Sequence, residues 1–154
     1  MGLDQYLYAS KYISRSDWRP EEMRAEFDSL VASMNADKII GKADIKSASV
    51  RFQVGYWRKS NQIHGWFVDN VQGGNDDCKE YHVSREQLYE LRQLCEQVIE
   101  TKDSSLLEPV EGFFFGSSTI DEYYWGDIQE TIDLIKYVLE NTPDEYEFCY
   151  QSSW

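Results

Sequence analysis

Histidine and basic side chains are both scarce in this chain, which carries two His and 15 Lys plus Arg against 28 Asp plus Glu. The net charge of −13 repels a phosphate backbone, whose binding needs clustered Lys and Arg, so general nucleic-acid binding is not expected. Cysteine is limited to Cys78, Cys95 and Cys149, an odd number, widely spaced and without a CxxC. That argues against a disulfide framework or a local zinc site and fits a reducing cytosol. With only His64 and His82 to add, nothing local assembles a metal site, and no cofactor is expected. No segment reads as membrane-spanning. Gly2-Leu3-Asp4-Gln5-Tyr6 lacks the basic-then-apolar order of a secretory signal. Tyr6 also stands where a myristoylation start carries Ser or Thr. Repeats, low-complexity tracts and long linkers are missing too, so residues 1–154 read as one domain, large enough for its own core.

Aromatic rings, by contrast, are plentiful: 11 Tyr, 7 Phe and 5 Trp, or 15% of the chain. Tyr and Trp join a large apolar area to a polar tip, and a surplus collects either in cores or at binding surfaces. The acidic charge serves solubility, or it docks the protein onto a basic partner surface in the manner of a DNA mimic.

Periodicity predicts the elements. Leu3, Tyr6 and Tyr8 suggest a strand over 3–10, and Pro20-Glu21-Glu22 opens a helix bearing Met23, Phe27, Leu30, Val31 and Met34. Residues 35–48 are ambiguous. Val50, Phe52, Val54 and Tyr56 alternate with polar neighbours and Gly55 in a strand over 49–57. A helix over 58–71, a turn-rich loop over 72–77 and a short strand over 80–83 follow. Ser84 and Gln87 form a capping box before a helix reaching about residue 101. The apolar run 112–116 reads as a buried strand or the end of one, a further helix carries Ile128, Ile132, Ile135 and Val138 to a stop at Pro143, and 145–150 is a last strand. Together these predict an α+β fold with an antiparallel or mixed sheet and helices packed mainly on one face.

Two segments carry groups suited to a site. In the first, a helix from residue 58 places Arg58, Asn61 and His64 on one face, beside Lys59. A helix N-terminus attracts anions, and Arg adds bidentate recognition of phosphate or carboxylate. Residues 37–59 hold six basic side chains (Lys38, Lys42, Lys46, Arg51, Arg58 and Lys59) against Asp37 and Asp44, a basic island that suits one compact anion. The plain alternative is a solvated charged face with a packed His64. In the second segment, Ser117, Ser118, Tyr123, Tyr124 and Trp125 offer hydroxyls and rings that hold a planar group, although no GK[ST] makes it a P-loop. Asp121 and Glu122 cap the following helix or bind a base edge or ribose hydroxyl. Both segments are read as strand-to-helix junctions lining one pocket. No catalytic motif assembles, so no catalytic residue is assigned.

The stretches Gly2-Leu3-Asp4-Gln5-Tyr6-Leu7-Tyr8, Gly55-Tyr56-Trp57-Arg58-Lys59 with Asn61, Ile63 and His64, Gly112-Phe113-Phe114-Phe115-Gly116-Ser117 and Asp121-Glu122-Tyr123-Tyr124-Trp125 resemble a family of small bacteriophage and prophage proteins. Some members bear a kinase-like label, for which this chain has no motif. The resemblance implies a phage accessory protein of the host cytoplasm and a role against host defence. Two mechanisms then suit the residues: sequestering a small anionic, nucleotide-like ligand, or inhibiting a host nuclease or effector by covering its basic surface. A small enzyme acting on a nucleotide or protein ranks third. A homodimer with Trp57, Tyr124 and Trp154 at a two-fold interface is a further expectation.

Overall fold

Strand β1 (Asp4–Ser14) and strand β2 (Ser47–Arg58) form where expected but run longer than the sequence reading, and in β2 Phe52 and Tyr56 are exposed while Gly55 and Trp57 are buried. The structure, a computed structural model, describes residues 2–38 and 45–154. Lys42 and Asp44 of the basic island, and the middle of the ambiguous stretch 35–48, lie outside the described residues. Helix α1 (Glu21–Ser33) follows β1, and after β2 come α2 (Asn61–Asn70), β3 (Tyr81–Val83), α3 (Arg85–Thr101), α4 (Glu122–Asn141) and β4 (Glu147–Ser153). The strands form one antiparallel sheet in the order β2-β1-β4-β3, and the fold is α+β. Tyr81, His82 and Val83 face Tyr150, Cys149 and Phe148 across the β3–β4 ladder.

The chain divides into two compact units, one of residues 10–51 and one of residues up to 9 together with 52–154. In the smaller unit Phe27 and Val31 of α1, four residues apart and so on one helical face, bury against Ile13. Lys11 and Glu26 form an ion pair at 2.8 Å there.

The larger unit holds every candidate site residue. Leu7, Ala9, Trp57, Val83, Phe148 and Tyr150 from the strands share one core with Ile63 and Phe67 of α2, Leu88, Leu91, Cys95 and Val98 of α3, and Ile128, Ile132, Ile135 and Val138 of α4. The α3 and α4 sets recur at three- and four-residue steps, each giving one apolar stripe. The capping box forms as expected: Ser84 Oγ accepts from Gln87 N at 3.0 Å, and Gln87 Oε1 accepts from Ser84 N at 2.9 Å. Asp121 caps α4 by accepting from the backbone N–H groups of Tyr123 and Tyr124.

Two expected elements differ. The helix placed from residue 58 begins at Asn61, because β2 pairing continues to its end, where Lys59 N donates to Leu3 O at 2.8 Å. Lys59 then turns through a left-handed φ of 57°. The run 112–116 is a loop, not a strand. Phe115 N closes a turn onto Gly112 O, and the three rings part company, with Phe113 95% exposed and Phe115 buried. Continuous apolar character was misleading because it satisfies several surroundings at once.

Burial raises the Cys95 thiol from 9.0 to about 12, with the Glu96 charge adding to it, and burial likewise lifts the Tyr124 phenol from 10.0 to about 12. Between those limits the unfolded chain releases protons that the folded chain keeps. Stability from these groups is therefore complete below the ordinary thiol value and is lost as pH rises toward 12. Thermal midpoints followed across that range should fall with increasing pH, and fall less in Cys95→Ala relative to its own neutral-pH value; a flat profile would mean both groups stay solvated.

Candidate functional site

Seven consecutive residues at the start of α2, from Asn61 to Phe67, are buried. A helix turn buried on every side needs partners for its polar side chains, and those partners organise the site. Asn61 Nδ2 donates to Phe115 O at 3.1 Å and to Ser117 O at 2.9 Å, while Asn61 Oδ1 accepts from Val110 N at 3.1 Å. The carboxamide thus holds both ends of segment 110–117. Gly65 allows the same approach from the next turn, since a Cβ there would overlap Val110 Cγ2. Leu3 N completes the seat by donating to Phe114 O at 3.0 Å.

His64 is fully buried and occupies the middle of a polar chain. Gln5 Nε2 donates to Ser60 O at 3.0 Å, and Tyr150 Oη donates to Gln5 Oε1 at 2.9 Å. His64 Nδ1 lies 2.8 Å from Tyr150 Oη, and Nε2 lies 3.0 Å from Asp76 Oδ2. Trp154 Nε1 donates to Asp76 Oδ1 at 3.0 Å. The carbonyl of Ser60 fixes the direction of this chain. It only accepts, so Gln5 turns its oxygen to Tyr150, whose single proton is then spent. The two ring nitrogens of His64 are thus held between the Tyr150 hydroxyl on one side and the Asp76 carboxylate on the other.

The basic pair expected at the first segment faces the second. Arg58, Lys59 and Gln62 line a cleft of about 260 Å³ with Ser117, Thr119, Asp121, Tyr123, Tyr124 and Asp127. Arg58 and Lys59 are exposed, and among the described residues neither has a carboxylate within ion-pair distance. The Arg58 guanidinium does interact with the Tyr56 hydroxyl, which also donates to Asp4. The Lys59 stem lies on Gly116, whose φ of 91° suits glycine and whose Cβ would stand 3.1 Å from Lys59 Cβ. Across the cleft, burial raises the Asp127 carboxyl above its usual 3.8, opposed by the Ser60 hydroxyl and the Gln62 amide and reinforced by Asp121. Gln62 Nε2 donates to Asp127 Oδ2 at 3.3 Å.

Several expected members of the site are elsewhere. Asn61 and His64 do not line this cleft, because their polar atoms are engaged inside the protein and Arg58 belongs to a strand rather than to their helix. Ser118 borders a shallow hollow with Glu111, Gly112, Phe113 and Gly116. Trp125 packs against the core with Lys102 Nζ 4.8 Å from its ring centre. Tyr124 reaches the cleft, but its ring is 4% exposed and its hydroxyl donates to Leu107 O at 2.8 Å, which removes it as a stacking surface. Tyr123, 74% exposed, can take that role. Trp57 is also buried, with Nε1 donating to Thr131 Oγ1 at 2.9 Å, so neither Trp57 nor Tyr124 can line a two-fold interface. Gln62, Thr119, Asp127 and Asp76 were missed by sequence reasoning. Gln62, the last of five consecutive polar residues from Arg58, and Asp76, inside a polar loop, gave no distinct signal.

Asn61→Ala would leave two carbonyls and one N–H of segment 110–117 without partners, costing about 1–3 kcal/mol or more. Denaturant titration should read that loss, and amide exchange should speed up over 110–117 before the rest of the larger unit; uniform exchange would mean Asn61 does not hold the segment. Compared with protein-family models, curated proteins and solved structures, the chain finds no match.

Proposed function

We propose that this chain is a phage accessory protein that acts by binding, countering a host defence by holding a small anionic, nucleotide-like ligand in the cleft between Arg58–Lys59 and the start of α4. The observation that carries this reading is the meeting of two unpaired cations with Ser117, Thr119 and the exposed ring of Tyr123 in one concave site. Arg58 takes the anionic group through its fork of donors and Lys59 adds a point charge. Asp127 and Gln62 receive hydroxyl or amino groups of the ligand, and Tyr123 stacks on its planar part. At about 260 Å³ the cleft is slightly below the ~300–1,000 Å³ of drug-sized pockets. It suits one phosphate and its sugar, with the base at the mouth. The acids opposite the cations disfavour a densely charged polyanion, in keeping with the −13 charge of the chain. The resemblance to small phage proteins supports the biological setting.

A second reading rests on that same net charge: the protein covers a basic face of a host nuclease or effector. The two readings part on one set of variants. Incubation with a nucleotide library followed by mass spectrometry should recover a small anion with the wild-type chain. Arg58→Ala should weaken its binding by roughly ten- to hundredfold, as loss of a charged hydrogen bond of about 1.5–3 kcal/mol implies. Glu90→Lys, Glu130→Lys and Glu140→Lys, on exposed helix positions, should leave it intact. Loss of activity in the glutamate variants with Arg58→Ala unaffected would select the host-protein reading instead. Because the Asp127 carboxyl is raised, it protonates before an ordinary Asp as pH falls. Anion affinity should rise on acidification, and Asp127→Asn should flatten that dependence.

A further inference from the structure

Beside α2, away from the Arg58 cleft, lies a second and larger hollow of about 600 Å³, lined by rings and by acids. Phe113, Phe114, Phe115 and Trp154 supply the rings, which interlock edge to face: Phe113 with Phe114 at 4.8 Å, Phe115 with Trp154 at 6.0 Å, and Phe115 with His64 at 5.0 Å. Phe113 is 95% exposed. Leaving a phenyl ring in water forgoes stabilisation that burial would supply, and nothing among the described residues covers it.

The charge of the lining has one sign. Asp69, Asp76 and Glu111 border the hollow, and among the described residues no Lys or Arg does. Asp76 is committed to His64 and Trp154. Asp69 and Glu111 are exposed and, among the described residues, have no basic partner. The walls are also built rather than incidental, because the Asn61 clamp and the close approach of Val110 to Gly65 fix the segment that carries the three Phe residues.

We infer that this hollow binds a small organic cation with an apolar body, an arylalkyl- or alkylammonium. A positive group is attracted to the faces of aromatic rings and to two unpaired carboxylates, while an apolar body fills space that a bare metal ion or a hydrated amine would leave wet. An anion meets the opposite conditions on every wall. This site is distinct from the Arg58 cleft in place and in charge, and does not depend on the function proposed for that cleft.

Titration of the full chain with phenylbutylammonium, followed by ¹H–¹⁵N NMR, tests the inference. The ammonium should shift the Trp154 indole N–H and the amides of 110–115. Phenylbutanol, the neutral isostere, should bind at least about tenfold more weakly, and phenylbutyrate more weakly again. Glu111→Gln combined with Asp69→Asn, both exposed positions that leave the core untouched, should abolish the preference for ammonium over alcohol. Phe113→Ala should weaken the ammonium, and Arg58→Ala should not. Equal binding of ammonium and alcohol, a preference that survives the double substitution, or shifts confined to residues outside the hollow would each overturn the assignment.

Discussion

One carboxamide, that of Asn61, ties an irregular segment of chain to a buried helix. Segment 110–117 contains no helix or strand, so its backbone groups cannot satisfy one another in a ladder. Asn61 supplies two donors and one acceptor to Phe115, Ser117 and Val110. The number of bonds matters because each is made inside the protein, where an unmade bond costs more than a made one gains. Ser117 in the Arg58 cleft and Phe113–Phe115 in the ring-lined hollow owe their positions to this anchor.

The second constraint is the polar chain through His64. Most of the larger unit is held by apolar burial among α2, α3, α4 and the sheet, which is non-directional and tolerates sliding. The run from Ser60 through Gln5, Tyr150, His64 and Asp76 to Trp154 tolerates none, since every member has its partner in one arrangement. A fully satisfied buried network rigidifies what surrounds it. Here it surrounds the face-to-face stack of Phe67 on Tyr150, with ring centres 3.8 Å apart. Rings in this chain are therefore divided between registering the interior, as Trp57 does through Thr131, and standing exposed beside the two hollows, as Tyr123 and Phe113 do.

Much of the fold was legible because it rests on local chemistry. The capping box at Ser84 and the stripe Leu88, Leu91, Cys95 and Val98 follow from spacing alone and are present; strand β2 also forms, but its alternation pointed to the wrong face, since Phe52 and Tyr56 are exposed and Gly55 and Trp57 are buried. The pairing of Arg58 and Lys59 with Ser117 and Tyr123 was also foreseen and does occur, but for a different reason than two equivalent junctions at a sheet edge. Leu3 brings them together, its N–H bonded to Phe114 and its carbonyl to Lys59. What failed was the division of polar residues between site and scaffold. Asn61 and His64 look like ligand-binding groups, and only contacts 54, 56 and 86 residues distant show that they are already occupied. Period and composition report which face a residue takes; they are silent on what fills its hydrogen bonds once there.

The bond from Tyr150 to Gln5 spans 145 positions of the chain, and β1 lies between β2 and β4 in the sheet. Helices α3 and α4 can form from near neighbours within microseconds, but the central ladder must wait for two strands separated by nearly everything else. Loop closure of that length is paid for before any contact repays it, which slows folding. Until β4 arrives, Gln5, His64 and Asp76 lack their partners, so a nascent chain halted before β4 keeps its polar centre in water and its helices loosely collapsed. Completion of the fold is thus deferred until β4 has been made, and the ring-lined hollow, whose walls include His64, Asp76 and Trp154, takes shape in the same late step.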